Sequence, residues 1–242
     1  MARLARLYAE GFAQLAQAQF THSNDIVIRQ LLERQFADIG RWLRLALADT
    51  DTLLHGWVVT HTGLTLLATP GDSTSLARGF QQVGRHLASR LKVGGVFEGR
   101  FHSTIPQPQR WLLPCLIWLE RQPVRESLVS DAETWRWSSA GAHTGSLGAS
   151  ALGLQPHTDY WSCGNTPFDR QAIYRRLLQE GNALSQDAKL EACLQGQWGL
   201  GDEDFLSELA KLANRRVHPE RRGRPKKVIV GTGLVPKAMV RP

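Results

Sequence analysis

The chain has 242 residues, of which 42% are hydrophobic and 21% charged, and its formal net charge is +7. These proportions are typical of a packed globule and argue against a chain that is disordered throughout. The longest apolar run, residues 111–119, is shorter than the roughly 18 residues that cross a bilayer, and the N-terminus lacks a signal peptide's apolar centre. We therefore expect no membrane partner.

The positive charge is concentrated at the C-terminus. Residues 215–242 contain nine Lys or Arg and one acidic residue, a net charge of +8, so residues 1–214 are close to neutral. A neutral body with a basic tail indicates a polyanionic partner, and nucleic acid is the first candidate. The alternative is a tail that only aids solubility or is prone to degradation.

Neither the cysteines nor the histidines are spaced as metal ligands. The three cysteines are widely separated and form no C-x-x-C motif, which indicates free thiols in a reducing cytosol. Five histidines make no pair two or four residues apart, and we expect no metal site among them. These are His86, His102, His143, His157 and His218.

The first half of the chain shows a strand pattern, a helical pattern and then a hairpin. Apolar residues recur at helical spacing after capping oxygens at 23–25, which predicts one long helix. Two apolar stretches separated by Thr-His-Thr-Gly at 60–63 predict two strands joined by a tight turn. The predicted elements are a strand at 13–20, a helix at 26–49 and strands at 53–59 and 64–70.

A second helix, a further strand and a buried helix complete the predicted core. Asp72 or Ser73 caps the helix, and Gly94 and Gly95 introduce the strand. The predicted ranges are 72–91, 94–105 and 109–122. The order β-α-β-β-α-β-α predicts an α+β fold, in which a ferredoxin-like antiparallel sheet is covered by helices.

The remaining residues predict a loop, a helical region and a tail. Small residues at 139–150 predict the loop, and charge, proline and glycine after Asn214 leave nothing to bury, which predicts disorder. Three short helices are predicted at 168–180, 185–195 and 202–213. We therefore divide the chain into a core at 1–140, a helical extension at 151–214 and a basic tail at 215–242.

Several short motifs occur in a fixed order along the chain. They are MARLARL at 1–7, LLATP at 66–70, EGRF at 98–101, QPVRESLV at 122–129, WRWSS at 135–139, NTPFDRQAIYRRLL at 165–178, QGQWGLGDEDFLSEL at 195–209 and RRVHPERRGRPKK at 215–227. Each motif is weak alone. In this order, over residues 1–227, they resemble the REP-associated tyrosine transposases, a branch of the single-strand transposases with a His-hydrophobe-His motif.

The resemblance implies a metal site that this chain has lost. In such proteins a His-x-His pair on a strand holds Mg²⁺ or Mn²⁺, which polarises the scissile phosphate. Counting back from LLATP, the two positions are Gly63 and Thr65, and neither replaces an imidazole. His61 is two residues early and would leave one histidine instead of two. We therefore expect no metal cofactor.

The resemblance also implies a tyrosine nucleophile that is absent from the core. The family tyrosine follows a Gly-Arg in the helix after the hairpin, and that position is Leu87 here. The tyrosines of the chain are Tyr8, Tyr160 and Tyr174, so none lies between residues 9 and 159. Two separate losses predict that the protein cleaves no DNA strand.

Cations of the core and tail are the candidate DNA contacts, because phosphate contacts need only placed cations and backbone donors. The alternative for each core cation is a solvated charge or a local ion pair, for instance between Glu98 and Arg100 or Arg125. The core candidates are Arg85, Arg90, Lys92, Arg100 and Arg125. The tail candidates are Arg215, Arg216, Arg221, Arg222, Arg224, Lys226 and Lys227.

Two further features can be interpreted either as DNA-binding elements or in simpler terms, as nonspecific charge and as core packing. RRGRPKK at 221–227 resembles an AT-hook core, whose arginines enter a narrow minor groove, or is a nonspecific polycation. Trp135 and Trp137 fit the packing of a core and its rim better than the stacking of bases.

Three hypotheses remain at this point. The leading one is a bacterial, cytoplasmic, nucleoid-associated DNA-binding protein that resembles the transposases but is inactive. By the resemblance it would bind single-stranded or hairpin DNA, as a homo-oligomer or together with an active relative. The second is a metal-dependent transposase that uses Tyr160 or Tyr174 as a displaced nucleophile. The third is a decayed remnant without a selected function.

Overall fold

A five-stranded sheet organises the protein, whose computed structural model describes residues 5–21, 25–146 and 153–219. The strands are β1 (Gln14–Gln19), β2 (Leu53–Val59), β3 (Gly63–Thr69), β4 (His102–Pro106) and β5 (Gly199–Leu200), in the spatial order β2-β3-β1-β4-β5. The first four strands pair antiparallel, and β5 adds to β4 in parallel. This arrangement confirms the predicted α+β fold with its ferredoxin-like antiparallel sheet.

Helices cover both faces of this sheet. They are α1 (Ile26–Glu33), α2 (Phe36–Ala48), α3 (Ser75–Leu91), α4 (Leu112–Glu120), α5 (Gln122–Arg125), α6 (Ala140–Thr144), α7 (Thr158–Trp161), α8 (Pro167–Glu180), α9 (Leu184–Gly196) and α10 (Glu203–Leu212). No helix among these described residues is long and apolar enough to cross a membrane.

Helices α1 to α3 cover the first face of the sheet. Leu64 and Leu66 of β3 point into this layer and pack with Phe36 of α2 and Leu87 of α3. The prediction of one long helix at 26–49 was wrong, because the chain breaks between α1 and α2. No proline or glycine marks the break, so the periodicity that runs through it did not locate it. Tertiary packing overrides local helix propensity at this point.

The second face is covered by α4 and by helices from the C-terminal region. Leu15 and Leu67 of the sheet pack in one cluster with Leu116 of α4, Tyr174 of α8 and Leu190 of α9. The C-terminal helices thus pack on the sheet itself. The division of the chain at residue 140 stays a prediction.

Two segments differ from their predicted structure. Residues 139–150 were predicted to be a loop, but 140–144 form α6, where Thr144 Oγ1 donates to Ala140 O at 3.0 Å. Residues 147–150 lie outside the described residues. The strand predicted at 94–105 begins only at His102, because Gly99 has a left-handed backbone with φ of 70°.

The start of the predicted tail is packed. Val217 is buried, and its carbonyl accepts a hydrogen bond of 2.8 Å from Gly199 N, next to β5. Residues 215–219 are therefore ordered against the sheet edge, contrary to the predicted disorder. The tail prediction for 220–242, which includes the AT-hook-like motif, lies outside the described residues.

Candidate functional site

Gly63 and Thr65 begin strand β3, opposite Gln19 and Gln17 of β1. A Cβ atom built on Gly63 would lie 2.4 Å from the carbonyl oxygen of Ala18, a backbone atom that no rotamer change can move. The first of the two positions that the resemblance assigns to metal ligands is therefore closed to every side chain in this backbone. A histidine there requires the hairpin and β1 to separate.

Thr65 is fully buried and belongs to a polar network on the second face. Its Oγ1 donates to Gln122 Oε1 at 3.0 Å and accepts from Gln17 Nε2 at 3.2 Å. Gln122 begins α5 and lies 57 residues away along the chain. The amides of Gln17 and Gln122, from two separate elements, therefore hold the hydroxyl at the second position that the resemblance assigns to a metal ligand.

The same network extends to the hairpin turn through Glu126. Its Oε1 accepts from Thr60 Oγ1 at 3.0 Å, from Thr62 Oγ1 at 2.6 Å and from Gln122 Nε2 at 2.8 Å. We call these residues with Gln17 and Thr65 the Gln122 cluster. It contains a single carboxylate whose contacting oxygen is already saturated by donors.

This donor set does not fit Mg²⁺ or Mn²⁺, which proteins hold through carboxylate oxygens together with other oxygen ligands, because its one contacting carboxylate oxygen already accepts three hydrogen bonds. In the part of the chain that the structure describes, no group of three His, Cys, Asp or Glu is arranged to hold a metal ion. His61 turns away from the cluster and lies against Phe36, with 5.6 Å between ring centroids. Its Nε2 is 3.5 Å from Glu33 Oε2.

Leu87, the position that the resemblance assigns to the nucleophile, is fully buried in the apolar layer between α3 and the first sheet face. Thr65 alternates with Leu64 and Leu66 along β3 and therefore faces the opposite side. The structure thus brings Gly63 and Thr65 together but does not bring position 87 to them.

The two tyrosines offered as displaced nucleophiles are both buried. Tyr174 donates its hydroxyl to Glu120 Oε2 at 2.7 Å, and Tyr160 donates to His143 O at 2.7 Å. Burial raises the pKa of Tyr160 to about 12 and raises the pKa of Tyr174 well above its usual value. Neither oxygen is accessible to DNA or readily ionised, which argues against the second hypothesis.

A second polar cluster surrounds Glu120 at the end of α4. The carboxylate is fully buried and accepts hydrogen bonds from Ser139 Oγ, from His143 Nδ1 at 2.7 Å and from Tyr174. We call these four residues the Glu120 cluster. It ties α4, α6 and α8 together, and nothing in the sequence patterns pointed to it.

Arg85, Arg90 and Lys92 lie on the exposed side and C-terminal end of α3. The helix contains no acidic residue, and none of the three cations takes part in an ion pair between described residues. By contrast, Arg78 near the start of the helix is paired with Asp72. The free cations are therefore gathered toward one end of α3.

The other described candidate cations are more constrained. Arg125 donates to Trp118 O at 2.7 Å and its guanidinium lies 4.5 Å from the centre of the Trp118 ring. Arg215 donates to Gln197 O and lies over the Trp198 ring, which Arg216 also approaches. The remaining tail candidates lie outside the described residues. They are Arg221, Arg222, Arg224, Lys226 and Lys227.

The two tryptophans of WRWSS pack against the sheet. Trp135 donates its indole N–H to Val59 O at 2.9 Å, and both rings lie near Phe36, at 6.3 and 6.1 Å between centroids. This position agrees with the packing interpretation. Gln122 and Glu126 were missed as site residues, although their spacing of four within QPVRE places both on one side of a short helix.

No family model matches the chain, and no curated protein matches it. A solved structure of a REP-associated tyrosine transposase bound to a REP hairpin is similar to it, with 14% sequence identity and a TM-score of 0.47. The alignment covers 65% of this chain and 93% of that one. A sequence identity and a TM-score this low establish neither a shared family nor a shared function.

Proposed function

We propose that the protein binds single-stranded or hairpin DNA and does not cleave it. The observation that carries this proposal is the end of α3, where Arg85, Arg90 and Lys92 are exposed, form no ion pair with any residue that the structure describes, and have no acid beside them within the helix. Cations held on a rigid helix contact phosphates without help from a metal. The order of sequence motifs that resembles the transposases supports the same ligand.

Loss of cleavage is supported by the Gln122 cluster. Gly63 leaves no room for a side chain, and the Thr65 hydroxyl is already bonded to Gln17 and Gln122. Without ligands, no metal ion neutralises the charge that develops on a scissile phosphate. Tyr160 and Tyr174 are the tyrosines that follow residue 8, and both are buried. Neither therefore replaces the missing nucleophile.

By the same resemblance, the protein belongs in the bacterial cytoplasm with the nucleoid. It acts there as a binder, alone, as a homo-oligomer or beside an active relative. The basic residues at 220–242 add a salt-dependent attraction for any nucleic acid.

A binding titration at two salt concentrations tests the proposal. Full-length protein is titrated into a labelled hairpin oligonucleotide and into an unstructured strand of equal length and composition. We expect tighter binding to the hairpin, and we expect it to persist when the tail cations Arg221, Arg222, Arg224, Lys226 and Lys227 are replaced by Gln. Equal binding to both strands that vanishes with the tail substitutions would overturn the proposal.

Matched charge variants locate the interface. Replacing Arg85, Arg90 and Lys92 by Ala is expected to weaken hairpin binding and to flatten its dependence on salt by roughly one unit of slope per lost phosphate contact. The control replaces three exposed cations that are already paired with acids, Arg110, Arg176 and Lys211. Equal losses in both triple variants would mean that only net charge matters.

Cleavage is tested by incubation of the protein with single-stranded DNA and Mn²⁺ or Mg²⁺, followed by denaturing electrophoresis. We expect no covalent adduct and no shortened strand. An adduct that survives denaturation would contradict the inactive assignment and leave the binding result untouched.

A further inference from the structure

A pocket with a volume of about 110 Å³ opens between the chain that follows α4 and the C-terminal half of α8. We call it the α8 pocket. An apolar cavity of roughly 150 Å³ admits benzene, so the α8 pocket encloses roughly four or five non-hydrogen atoms, about the size of glycine. Its charged lining residues are Arg121, Asp131, Glu133 and Arg175, and its apolar ones are Val124, Ala132 and Leu178.

The depression lined by Glu98 and Arg100, where β1 meets β4, is far smaller. Its volume of about 10 Å³ holds one water. No ion pair between described residues includes either side chain, so the predicted pairing of Glu98 with Arg100 or Arg125 is not what the structure has. Of the two, only the α8 pocket has room for a small organic molecule.

The guanidinium of Arg121 is fixed by the C-terminus of α8. Its Nη1 donates to Leu178 O and, at 2.7 Å, to Gln179 O. The backbone of Gly181 packs against it, since an added Cβ would lie 2.8 Å from Nε. The other donors of the guanidinium have no acceptor among the described residues, and no acid there pairs with it. Arg121 therefore keeps donors and a positive charge for a ligand.

Asp131 is the matching anion of the pocket. It is exposed, and within the described part of the chain its carboxylate accepts one hydrogen bond, of 3.3 Å from the neighbouring Ser130 Oγ, and forms no ion pair. The other two charges neutralise each other, because Arg175 Nε lies 3.0 Å from Glu133 Oε2. The Arg121 cation and the Asp131 anion are thus left without an opposite charge.

A guanidinium and a carboxylate that line one pocket without pairing match the two charged ends of a zwitterion. The fork of guanidinium N–H groups fits a ligand carboxylate, and the Asp131 carboxylate accepts the N–H groups of a ligand ammonium. A simple anion would be repelled by Asp131, and a simple cation by Arg121. A ligand that carries both charges satisfies both side chains.

The apolar lining and the volume limit the size of this ligand. Val124, Ala132 and Leu178 offer hydrocarbon contact to a methyl group but leave no space for a long side chain. The ligand class with a carboxylate, an ammonium and at most a small substituent on one carbon is the small α-amino acid.

We propose that the α8 pocket binds a small α-amino acid as its zwitterion, with the carboxylate at Arg121 and the ammonium at Asp131. Bound there, the ligand joins the end of α4, the 3-10 turn at 132–134 and α8. Binding at this pocket does not require DNA, because the α3 cations belong to the layer on the first sheet face whereas α8 packs on the second.

Thermal unfolding of the full-length protein with increasing glycine or L-alanine tests the proposal. We expect a saturable rise of the midpoint, by roughly 3–5 °C at about ten times the dissociation constant. Glycinamide keeps the ammonium alone and N-acetylglycine the carboxylate alone, so neither is expected to give a saturable rise. L-Leucine is expected to bind more weakly than L-alanine. No rise with glycine or L-alanine, or an equal rise with both derivatives, would overturn the proposal.

Variants assign the two contacts. Asp131→Asn is expected to abolish the rise and, because the side chain is exposed, to leave the midpoint without ligand nearly unchanged. Arg121→Lys keeps a cation at the C-terminus of α8 but loses the fork, and is expected to weaken binding about 10- to 100-fold. Asp204→Asn, at an exposed acid of α10, is the matched control and keeps the full rise.

The variants also show where the ligand binds. A full rise retained by both Asp131→Asn and Arg121→Lys would place the ligand elsewhere and overturn the assignment to the α8 pocket. Hairpin binding is measured separately, so a failure of the proposed DNA binding leaves the amino acid result unchanged, and the reverse holds as well.

Discussion

Glu120 and Gln122 are two residues apart in the chain and lie on the same sheet face. The clusters named after them nevertheless differ in chemistry. Glu120 is a fully buried carboxylate whose donors come from α6 and α8. The Gln122 cluster is built from amides and hydroxyls, and its Glu126 is only half-buried. The buried Glu120 carboxyl group joins three helices, whereas the Gln122 cluster joins β1, the hairpin turn and α5 through amides, hydroxyls and one half-buried carboxylate.

The largest expected effect is a difference in the free energy of unfolding between variants of the two clusters. Glu120→Ala leaves donors of Ser139, His143 and Tyr174 without an acceptor and opens a cavity, so we expect the free energy of unfolding to fall by about 3–5 kcal/mol. Glu126→Ala is expected to cost about 1 kcal/mol, because water reaches its donors. Urea denaturation of both variants measures the difference.

The urea denaturation curves also show whether the core unfolds cooperatively. We expect one cooperative transition for the unaltered protein, because the C-terminal helices share a buried apolar cluster with the sheet. A broad transition without cooperativity would favour the hypothesis of a decayed remnant. Equal losses for Glu120→Ala and Glu126→Ala would break the distinction between the clusters.

A buried histidine on the same face adds a dependence on pH. His55 Nδ1 lies 2.6 Å from Gln155 O and Nε2 lies 2.8 Å from Thr69 Oγ1, and burial lowers its pKa from 6.5 to about 4. The folded state therefore disfavours the charged form. Its contribution is fully present above pH 6.5 and is lost as the pH falls toward 4, by at most about 3 kcal/mol.

Unfolding in urea at several pH values between 4 and 7 measures this contribution. The unaltered protein is expected to lose more stability across that range than His55→Gln, since glutamine does not titrate. Parallel losses in the two proteins would mean that His55 titrates normally when folded.

A further expected loss of stability concerns Gly63, the first position that the resemblance assigns to a metal ligand. Gly63→Ala puts a methyl group against Ala18 O and is expected to cost about 1–3 kcal/mol. Gly94→Ala, where nothing lies within 4 Å of the added Cβ, is the control and is expected to be neutral or slightly stabilising. Thermal unfolding compares them, and an unaffected Gly63→Ala would reopen the position to a metal ligand.

Elements with a strong local pattern were predictable from the sequence. The hairpin β2–β3 and helix α3 follow from alternation, a Gly turn and helical periodicity, and their observed bounds lie close to the predicted ones. The α1–α2 break, helix α6 and the burial of Val217 depend on distant residues. No window of sequence contains their cause.

The candidate site divides in the same way. Counting along the chain located Gly63 and Thr65, and alternation puts them on one face of a strand. The sequence pattern does not indicate that the Ala18 carbonyl blocks a side chain at position 63, or that Gln122 bonds Thr65 across 57 residues. Contacts between separate elements require the fold.

The pairing of β5 with β4 has a consequence for synthesis on the ribosome. The outer edge of β4 has no partner until Gly199 and Leu200 have emerged, nearly a hundred residues later. Asn214, which bonds both Arg6 O and Tyr8 N, arrives later still. A nascent chain thus carries an unprotected β4 edge until residues 199–200 have emerged, and the N-terminal segment at 6–8 gains its bonds to Asn214 only after that.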